Sequence, residues 1–248
     1  MSVPGENTQN DGQPCKEELA KLHQVCVVTF GQSFEEGREA KIASVMQFST
    51  DFEVWRDVLA NRPEASILSD ANKELTIALL SLTQGQYRNA FKGLRLVLEL
   101  VLQSVYLSAN LVDLNEWKKN QRHTSWTKLA DNDNGPLGIR FCQAFFPELK
   151  EHRSNMLSVS TTLYTELSET IHGNTPLCIP LPGSMEFNED VFNLWLEKFE
   201  SIKLLVHFIL CMRYLASLEE DSRNKLVDIL NEQLGHITEV RASLGGVE

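Results

Sequence analysis

Hydrophobic residues recur along most of this chain at intervals of three and four, which is the period of an amphipathic helix. Near the start, one helical face would carry Leu19, Leu22, Cys26 and Phe30. A half-buried strand would show a sustained alternation of apolar and polar residues. The longest strand-like run, Cys26–Phe30, lies inside a helical pattern instead. The pattern therefore predicts an all-α protein.

The most apolar predicted helix covers residues 86–111, where apolar side chains nearly encircle the axis. A helix of this kind is buried on most of its sides. Its polar side chains form one line at steps of four, three, four and four residues: Arg88, Lys92, Arg95, Glu99 and Gln103. This line is either the solvated edge of the helix or the wall of a narrow groove between helices. In a groove, Arg95 and Glu99 would form an intrahelical ion pair and could contact a histidine from another helix.

The remaining pattern predicts helices over 137–146 and 148–171, and a long helix that begins after Asn188 as its N-cap. Residues 112–135 are predicted to be irregular, and three prolines make the loop over 174–184 stiff and extended. We therefore expect an up-and-down helical bundle with an N-terminal helical extension. The expected boundaries are a disordered tail (1–14), the helical extension (15–64), the bundle (65–238) and a frayed tail (239–248).

Composition and charge narrow the class of protein. Of 248 residues, 42% are hydrophobic and 23% are charged, as in ordinary globular domains. The net charge of −11 disfavours nucleic acid and anionic membranes as general partners. The most apolar runs are interrupted by charged side chains, so no membrane span is predicted. Five cysteines, with no CxxC pair and no signal peptide, favour reduced thiols in a cytoplasmic protein.

His172 closes the helix-like segment "TELSETIH" and precedes Gly173. A histidine in the last turn interacts favourably with the helix dipole, and glycine suits the left-handed position after a helix. This interpretation of His172 and Gly173 as the end of a helix requires no functional role for the histidine. In the alternative reading, Glu166, Ser168 and Glu169 orient His172 for acid–base chemistry, with Arg95 and Glu99 as further members of the catalytic cluster.

A basic segment, "NEWKKNQRHTSW" (115–126), is the second candidate site. It lies in the only positively charged part of the chain, residues 86–128, which carry seven basic and three acidic residues. Aromatic rings between cations can stack on RNA bases while the cations neutralise phosphates. The same residues also fit a surface loop whose tryptophans are anchored in the core, or a contact for an acidic protein. The candidate binding residues are Lys118, Lys119, Arg122, His123, Trp117 and Trp126.

The sequence contains no glycine-rich phosphate loop, no HExxH and no GxSxG. Its cysteines and histidines are too scattered to predict a zinc site. We therefore predict no metal and no cofactor. His207 lies within an apolar run and is interpreted as a core residue, and Cys178, in the proline loop, is expected to be accessible without an activating neighbour.

The order of "YRNAFKGLRLVLELVLQSVYLS", "EWKK" and a long helix closing on "LSETIHG" resembles bacterial helical proteins of the HEPN-like group, several of which occur in phage-defence or toxin–antitoxin loci. The resemblance covers about residues 65–215. It implies a small up-and-down bundle in which an Arg-x-x-x-Glu helix, here Arg95 and Glu99, packs beside a helix with a functional histidine, here His172.

The sequence also departs from that group. Its ribonuclease members carry an arginine that is separated from the histidine by four to six residues, and the corresponding positions here are Thr165, Glu166 and Leu167. The resemblance therefore implies the bundle and leaves the nuclease in doubt.

Two functions follow as hypotheses. The first is a non-enzymatic interaction or accessory protein of a bacterial antiviral defence system, which binds a protein partner or dimerises. The second is a divergent, metal-independent ribonuclease that uses His172 with Arg95 and Glu99.

Overall fold

The computed structural model describes residues 13–172 and 181–246. These residues form twelve α-helices joined by turns and two short 3-10 segments, with no strand among them, which confirms the all-α prediction. The helices are α1 (Gln13–Ser33), α2 (Arg38–Val58), α3 (Ala65–Thr83), α4 (Tyr87–Ala109), α5 (Leu111–Lys118), α6 (Trp126–Leu129), α7 (Ile139–Phe145), α8 (Lys150–His172), α9 (Glu189–Tyr214), α10 (Glu220–Asn224), α11 (Val227–Leu234) and α12 (Thr238–Ser243).

The core forms around α9, which packs against α4, α2, α7, α8 and α11. Every residue from Leu205 to Tyr214 is buried, so this part of α9 is surrounded on all sides. At its start, the side chain of Asn188 accepts a hydrogen bond of 3.0 Å from the backbone N–H of Val191. This contact confirms Asn188 as the N-cap.

Helix α4 forms the second core layer and packs closely against α3. At their crossing, a Cβ atom on Gly93 would lie 2.5 Å from the Cβ of Ala78, so only glycine allows this approach. Gly85 lies in the connection between the two helices with φ of +73°, a left-handed conformation that glycine adopts without strain. These glycines fix the tight α3–α4 hairpin, and α8 covers another side of α4.

The predicted N-terminal extension (15–64) consists of two different parts. Helix α2 belongs to the main core, where Phe48, Phe52 and Trp55 are almost fully buried. Helix α1, in contrast, contacts mainly the end of α3. The division between extension and bundle therefore falls after α1 and not at residue 64.

Three other boundaries differ from expectation. The segment predicted to be irregular contains α5 and α6. The tail predicted to fray over 239–248 contains most of α12, because Val240 is fully buried in the core. Of the predicted disordered tail, residues 13 and 14 are helical, and residues 1–12 lie outside the described part of the chain. Among the described helices, none has the length and apolarity required to cross a bilayer.

Candidate functional site

The polar line on α4 faces α8 and forms one wall of a groove, as one of the two sequence interpretations proposed. Arg95 and Glu99 form an ion pair of 2.8 Å between Nε and Oε1, with about a quarter of each side chain exposed. The other side of the Arg95 guanidinium donates a 2.8 Å hydrogen bond to the hydroxyl of Tyr164 on α8. Its central carbon also lies 4.6 Å from the centre of that ring. Arg95 is therefore held between Glu99 and Tyr164.

Tyr164 is itself held by Trp126 from α6. The two rings are stacked, with centroids 3.6 Å apart and planes 3° from parallel. Beside this contact the groove widens into a cavity of about 190 Å³ lined by Lys92, Arg95, Leu96, Glu99 and Ile171. The cluster joins three helices, and its polar groups are used in contacts between those helices.

His172 does not join this cluster. It is the last residue of α8 and is exposed. It lies eight positions after Tyr164, a helical rise of about 12 Å. The residue of α4 that meets this end of α8 is Arg88, which donates hydrogen bonds to the carbonyl oxygens of Thr170 (3.3 Å) and Ile171 (2.7 Å). The structure thus brings Arg95 and Glu99 together and places His172 about two helical turns along α8 from Tyr164, the residue that contacts Arg95.

Two of the three groups predicted to orient His172 make structural contacts, and Oε2 of the third, Glu169, is buried with no hydrogen-bond partner among the described residues. Glu166 forms a 2.9 Å ion pair with Lys198 of α9. Ser168 donates its hydroxyl to the backbone carbonyl of Tyr164 within α8. Arg88 satisfies carbonyls at the end of the helix, where unpaired acceptors are normal. Gly173, the predicted residue after the helix, lies outside the described residues, as does Cys178.

In the basic segment (115–126), part of the positive charge is neutralised by the chain itself. Arg122 contacts Asp113 and Glu116, each at 3.0 Å, and Lys128 lies 3.3 Å from Asp113. Tyr106 donates its hydroxyl to Asp113 at 2.9 Å. Burial alone would raise the pKa of Asp113, but the hydrogen bonds from Tyr106 and Lys128 and the charges of Lys128 and Arg122 together lower it.

Both tryptophans of this segment are half-buried and pack against the body of the protein, as the structural alternative for the segment proposed. Trp117 packs on a small cluster formed by Ile67, Leu107 and Leu114, and Trp126 packs on the main core. Each indole therefore already has partners within the chain. The predicted binding residues that remain exposed are Lys118, Lys119, Arg122 and His123.

The most prominent surface feature lies on α1 and was not singled out from the sequence. Among residues 14–33 of this helix, whose burial the structure describes, three are buried: Cys26, Thr29 and Ser33. Ser33 donates its hydroxyl to the carbonyl of Thr83 at 3.1 Å, which ties α1 to the end of α3. The large apolar side chains of α1 and the next residue are exposed by 37–60%: Leu19, Leu22, Val25, Val27, Val28, Phe30 and Phe34.

The sequence contains a signal for this surface. The run "VCVVTF" places apolar residues on every side of the helix, whereas a peripheral helix normally has a polar outer face. Residues 22–34 include no aspartate, glutamate, lysine or arginine. A helix that is apolar all round is normally buried, but α1 makes few contacts with the rest of the chain. Exposed apolar surfaces of this size are typical of interaction sites.

One further cluster of titratable groups lies deep in the core. Trp55 donates its indole N–H to Nδ1 of His207 at 3.4 Å, and Nε2 of His207 lies 3.9 Å from a carboxylate oxygen of Asp51. Burial, with the nearby charge of Lys203, lowers the pKa of His207 to about 3. His207 is fully buried, as predicted for a core residue. Among the described residues, no group of three or more metal-ligating side chains is close enough to hold an ion.

Comparison of the chain with protein-family models, curated proteins and solved structures finds no match in any of the three.

Proposed function

We propose that this protein is a helical interaction protein without enzymatic activity, and that α1 is its main binding element. The observation that carries the proposal is the exposed apolar surface of α1. Seven large apolar side chains on one helix are more than single scattered surface residues, and contiguous patches of this kind are typical of protein–protein interfaces.

The side-chain contacts at the other candidate sites support the same function. Arg95 is engaged with Glu99 and with Tyr164 between helices, and His172 lies two turns along α8 from Tyr164. The basic segment is partly neutralised by Asp113 and Glu116. Each of these arrangements has an evident structural role. An accessory role in a bacterial antiviral defence system is the specific form of the proposal, and it rests on the resemblance to HEPN-like proteins alone.

The test is a capture experiment from cell lysate, with protein and nucleic acid both identified. Tagged protein is expressed beside an untagged copy, so that self-association is detected together with other partners. The informative variant is Val27→Glu, at a position 49% exposed on α1. The matched control is Val112→Glu, at a position 70% exposed on α5. We expect a stoichiometric partner with wild type and the control, and none with Val27→Glu.

The alternative function, a metal-independent ribonuclease using His172, Arg95 and Glu99, has its own readout. Purified protein is incubated with single-stranded RNA in the presence of a chelator. Cleavage that disappears in folded His172→Ala would support the ribonuclease and contradict the proposal of a non-enzymatic protein. Under the proposal, wild type and His172→Ala both leave the RNA intact.

A further inference from the structure

The exposed surface of α1 has the spacing of a paired helix. Ala20, His23, Val27, Phe30 and Phe34 follow one another at steps of three, four, three and four, and all five are exposed. We call this set the α1 row. Two helices that pair side by side bury rows with this spacing, because residues at three and four alternate along one seam. The geometry therefore favours another helix as the partner of α1.

A second row shows that the first half of α1 extends beyond the body of the protein. Leu19, Leu22, Cys26, Thr29 and Ser33 have the same three–four spacing. The last three pack against the chain and are exposed by 8% or less, whereas Leu19 and Leu22 are exposed by 60% and 48%. The contacts to the α3–α4 hairpin therefore end near Cys26. The N-terminal half of α1 carries apolar side chains that the rest of the monomer leaves uncovered.

Charge favours a second copy of the same chain as the occupant. The chain carries a net charge of −11, so two copies repel each other over most of their surfaces. Helix α1 is an exception, since Lys16 and Lys21 balance Glu17 and Glu18 and no charged residue occurs over 22–34. A cationic partner would be attracted to the acidic surfaces elsewhere, whereas a neutral apolar row fits another neutral apolar row, and this chain carries one.

The sizes of the side chains favour an antiparallel arrangement. Phe30 and Phe34 contact each other, with ring centroids 4.9 Å apart, and make one end of the α1 row bulky. Ala20 makes the other end slim, and Val27 lies in the middle. An antiparallel copy places the bulky end of each helix over the slim end of the other, so that large and small residues face each other. A parallel copy would stack the four phenylalanines and leave a gap at the alanines.

We propose that two copies of this protein pair through α1, antiparallel, around a two-fold axis near Val27. This inference rests on the proposed function and names its partner. Of the exposed apolar residues, Val27, Phe30 and Phe34 lie in the α1 row and Leu19 flanks it, and their exposed fractions add up to just under two complete side chains, or roughly 300 Å² per copy. That area lies below the roughly 800 Å² per partner of a standard interface. The dimer is therefore expected to be reversible and to dissociate on dilution.

The first test is the mass in solution, measured by sedimentation equilibrium over a wide concentration range. Wild type is expected to pass from one to two chains as concentration rises. Val27→Glu places two carboxylates at the two-fold axis and should weaken association on the order of a hundredfold or more. Val112→Glu, a control on α5, should associate like wild type. Equal association of wild type and Val27→Glu, or a monomeric wild type at every concentration, would overturn the proposal.

The second test determines the orientation. In an antiparallel pair centred on position 27, residue 20 of one copy lies beside residue 34 of the other, whereas a parallel pair in register brings like positions together. The double variant Ala20→Cys/Phe34→Cys should therefore form disulfides between positions 20 and 34 under mild oxidation. Mass spectrometry of the cross-linked peptides separates the cases. Disulfides that join 20 to 20 and 34 to 34, or a dimer with no link between 20 and 34, contradict the antiparallel arrangement.

Failure of this inference differs from failure of the proposed function. A monomeric wild type that captures a different protein, lost in Val27→Glu, would overturn self-pairing and leave the interaction role in place. A monomeric wild type that binds vesicles of neutral lipid through α1 would likewise overturn self-pairing. A reversible dimer abolished by Val27→Glu and retained in Val112→Glu supports both.

Discussion

Tyr164 forms a structural connection around Arg95, one of the predicted catalytic residues. Its ring stacks on Trp126 and its hydroxyl accepts from Arg95, whose other contact is Glu99. The contacts of an arginine with a carboxylate, a hydroxyl and an aromatic face each stabilise the folded protein. The polar line seen in the sequence is thus used to join α4, α6 and α8.

Substitutions at Tyr164 should therefore affect stability in proportion to the contacts removed. Tyr164→Phe removes only the hydroxyl and is expected to lower the free energy of unfolding by about 1 kcal/mol. Tyr164→Ala also removes the stack on Trp126 and the ring beside Arg95, with an expected loss of about 3 kcal/mol. Urea denaturation checks both values. Equal stability of Tyr164→Ala and wild type would show that the connection contributes nothing.

His207 predicts how stability depends on pH. Its pKa is about 3 in the folded protein and about 6.5 when unfolded. Between these values the unfolded chain binds one more proton than the folded chain, so the stability is complete above pH 6.5 and declines as pH falls. From pH 7 to pH 5 we expect the unfolding free energy to drop by about 2 kcal/mol through this group.

The control for this prediction is His207→Gln, whose amide does not titrate and whose carbonyl oxygen can accept from Trp55. Asp51 has a pKa raised chiefly by burial, so its protonation acts in the opposite direction to that of His207 as pH falls. Because Asp51 is present in both proteins, the comparison isolates the histidine. Urea midpoints at pH 7 and pH 5 should diverge less in His207→Gln than in wild type. If the urea midpoint changed equally with pH in wild type and His207→Gln, the pH dependence could not be assigned to His207.

At the scale of helices, the apolar periodicity was sufficient to predict the class of fold and most of the long elements. Helix α9 with its Asn188 cap and helix α8 follow directly from repeat and cap signals. The short helices α5 and α6 escaped prediction because they are held by tertiary contacts. Trp117 and Trp126 anchor them in the core, and no local period records such contacts.

The candidate site could be predicted from the sequence only in part, again because tertiary packing decides some of its contacts. Arg95 and Glu99 are one helical turn apart, so the sequence itself sets their contact. Contact with His172 depended on the register of α8 against α4, which packing decides. That register places Tyr164 at Arg95 and brings the carbonyls of Thr170 and Ile171 to Arg88.

Helix α1 should behave as an element of assembly and contribute little to the core. No side chain described over residues 14–24 is buried. Removal of residues 1–24 is expected to change the free energy of unfolding by less than about 1 kcal/mol. The same truncation should abolish dimers, since it removes Ala20 and His23 with half of the α1 row. Thermal unfolding and light scattering measure the two effects. A large loss of stability would show that this segment supports the monomer fold.

For the whole molecule, the central claim is that the apolar surface of α1 is covered in the assembled protein. The body is a well-packed bundle around α9, and its remaining surface is strongly acidic as a whole. The protein thus has a stable core, a net charge that makes its copies repel each other, and one exposed apolar stretch, residues 22–34 of α1 and the following residue, that carries no Asp, Glu, Lys or Arg. This combination favours association through a single defined surface over general aggregation.

Amide hydrogen exchange reports whether α1 is covered, with wild type and Val27→Glu each measured at high and low concentration. We expect amides over residues 19–34 to exchange more slowly in concentrated wild type, and dilution or Val27→Glu to remove this protection, while the core helices are unaffected. Equal exchange of residues 19–34 in wild type and Val27→Glu at every concentration would show that α1 is not covered by a second copy.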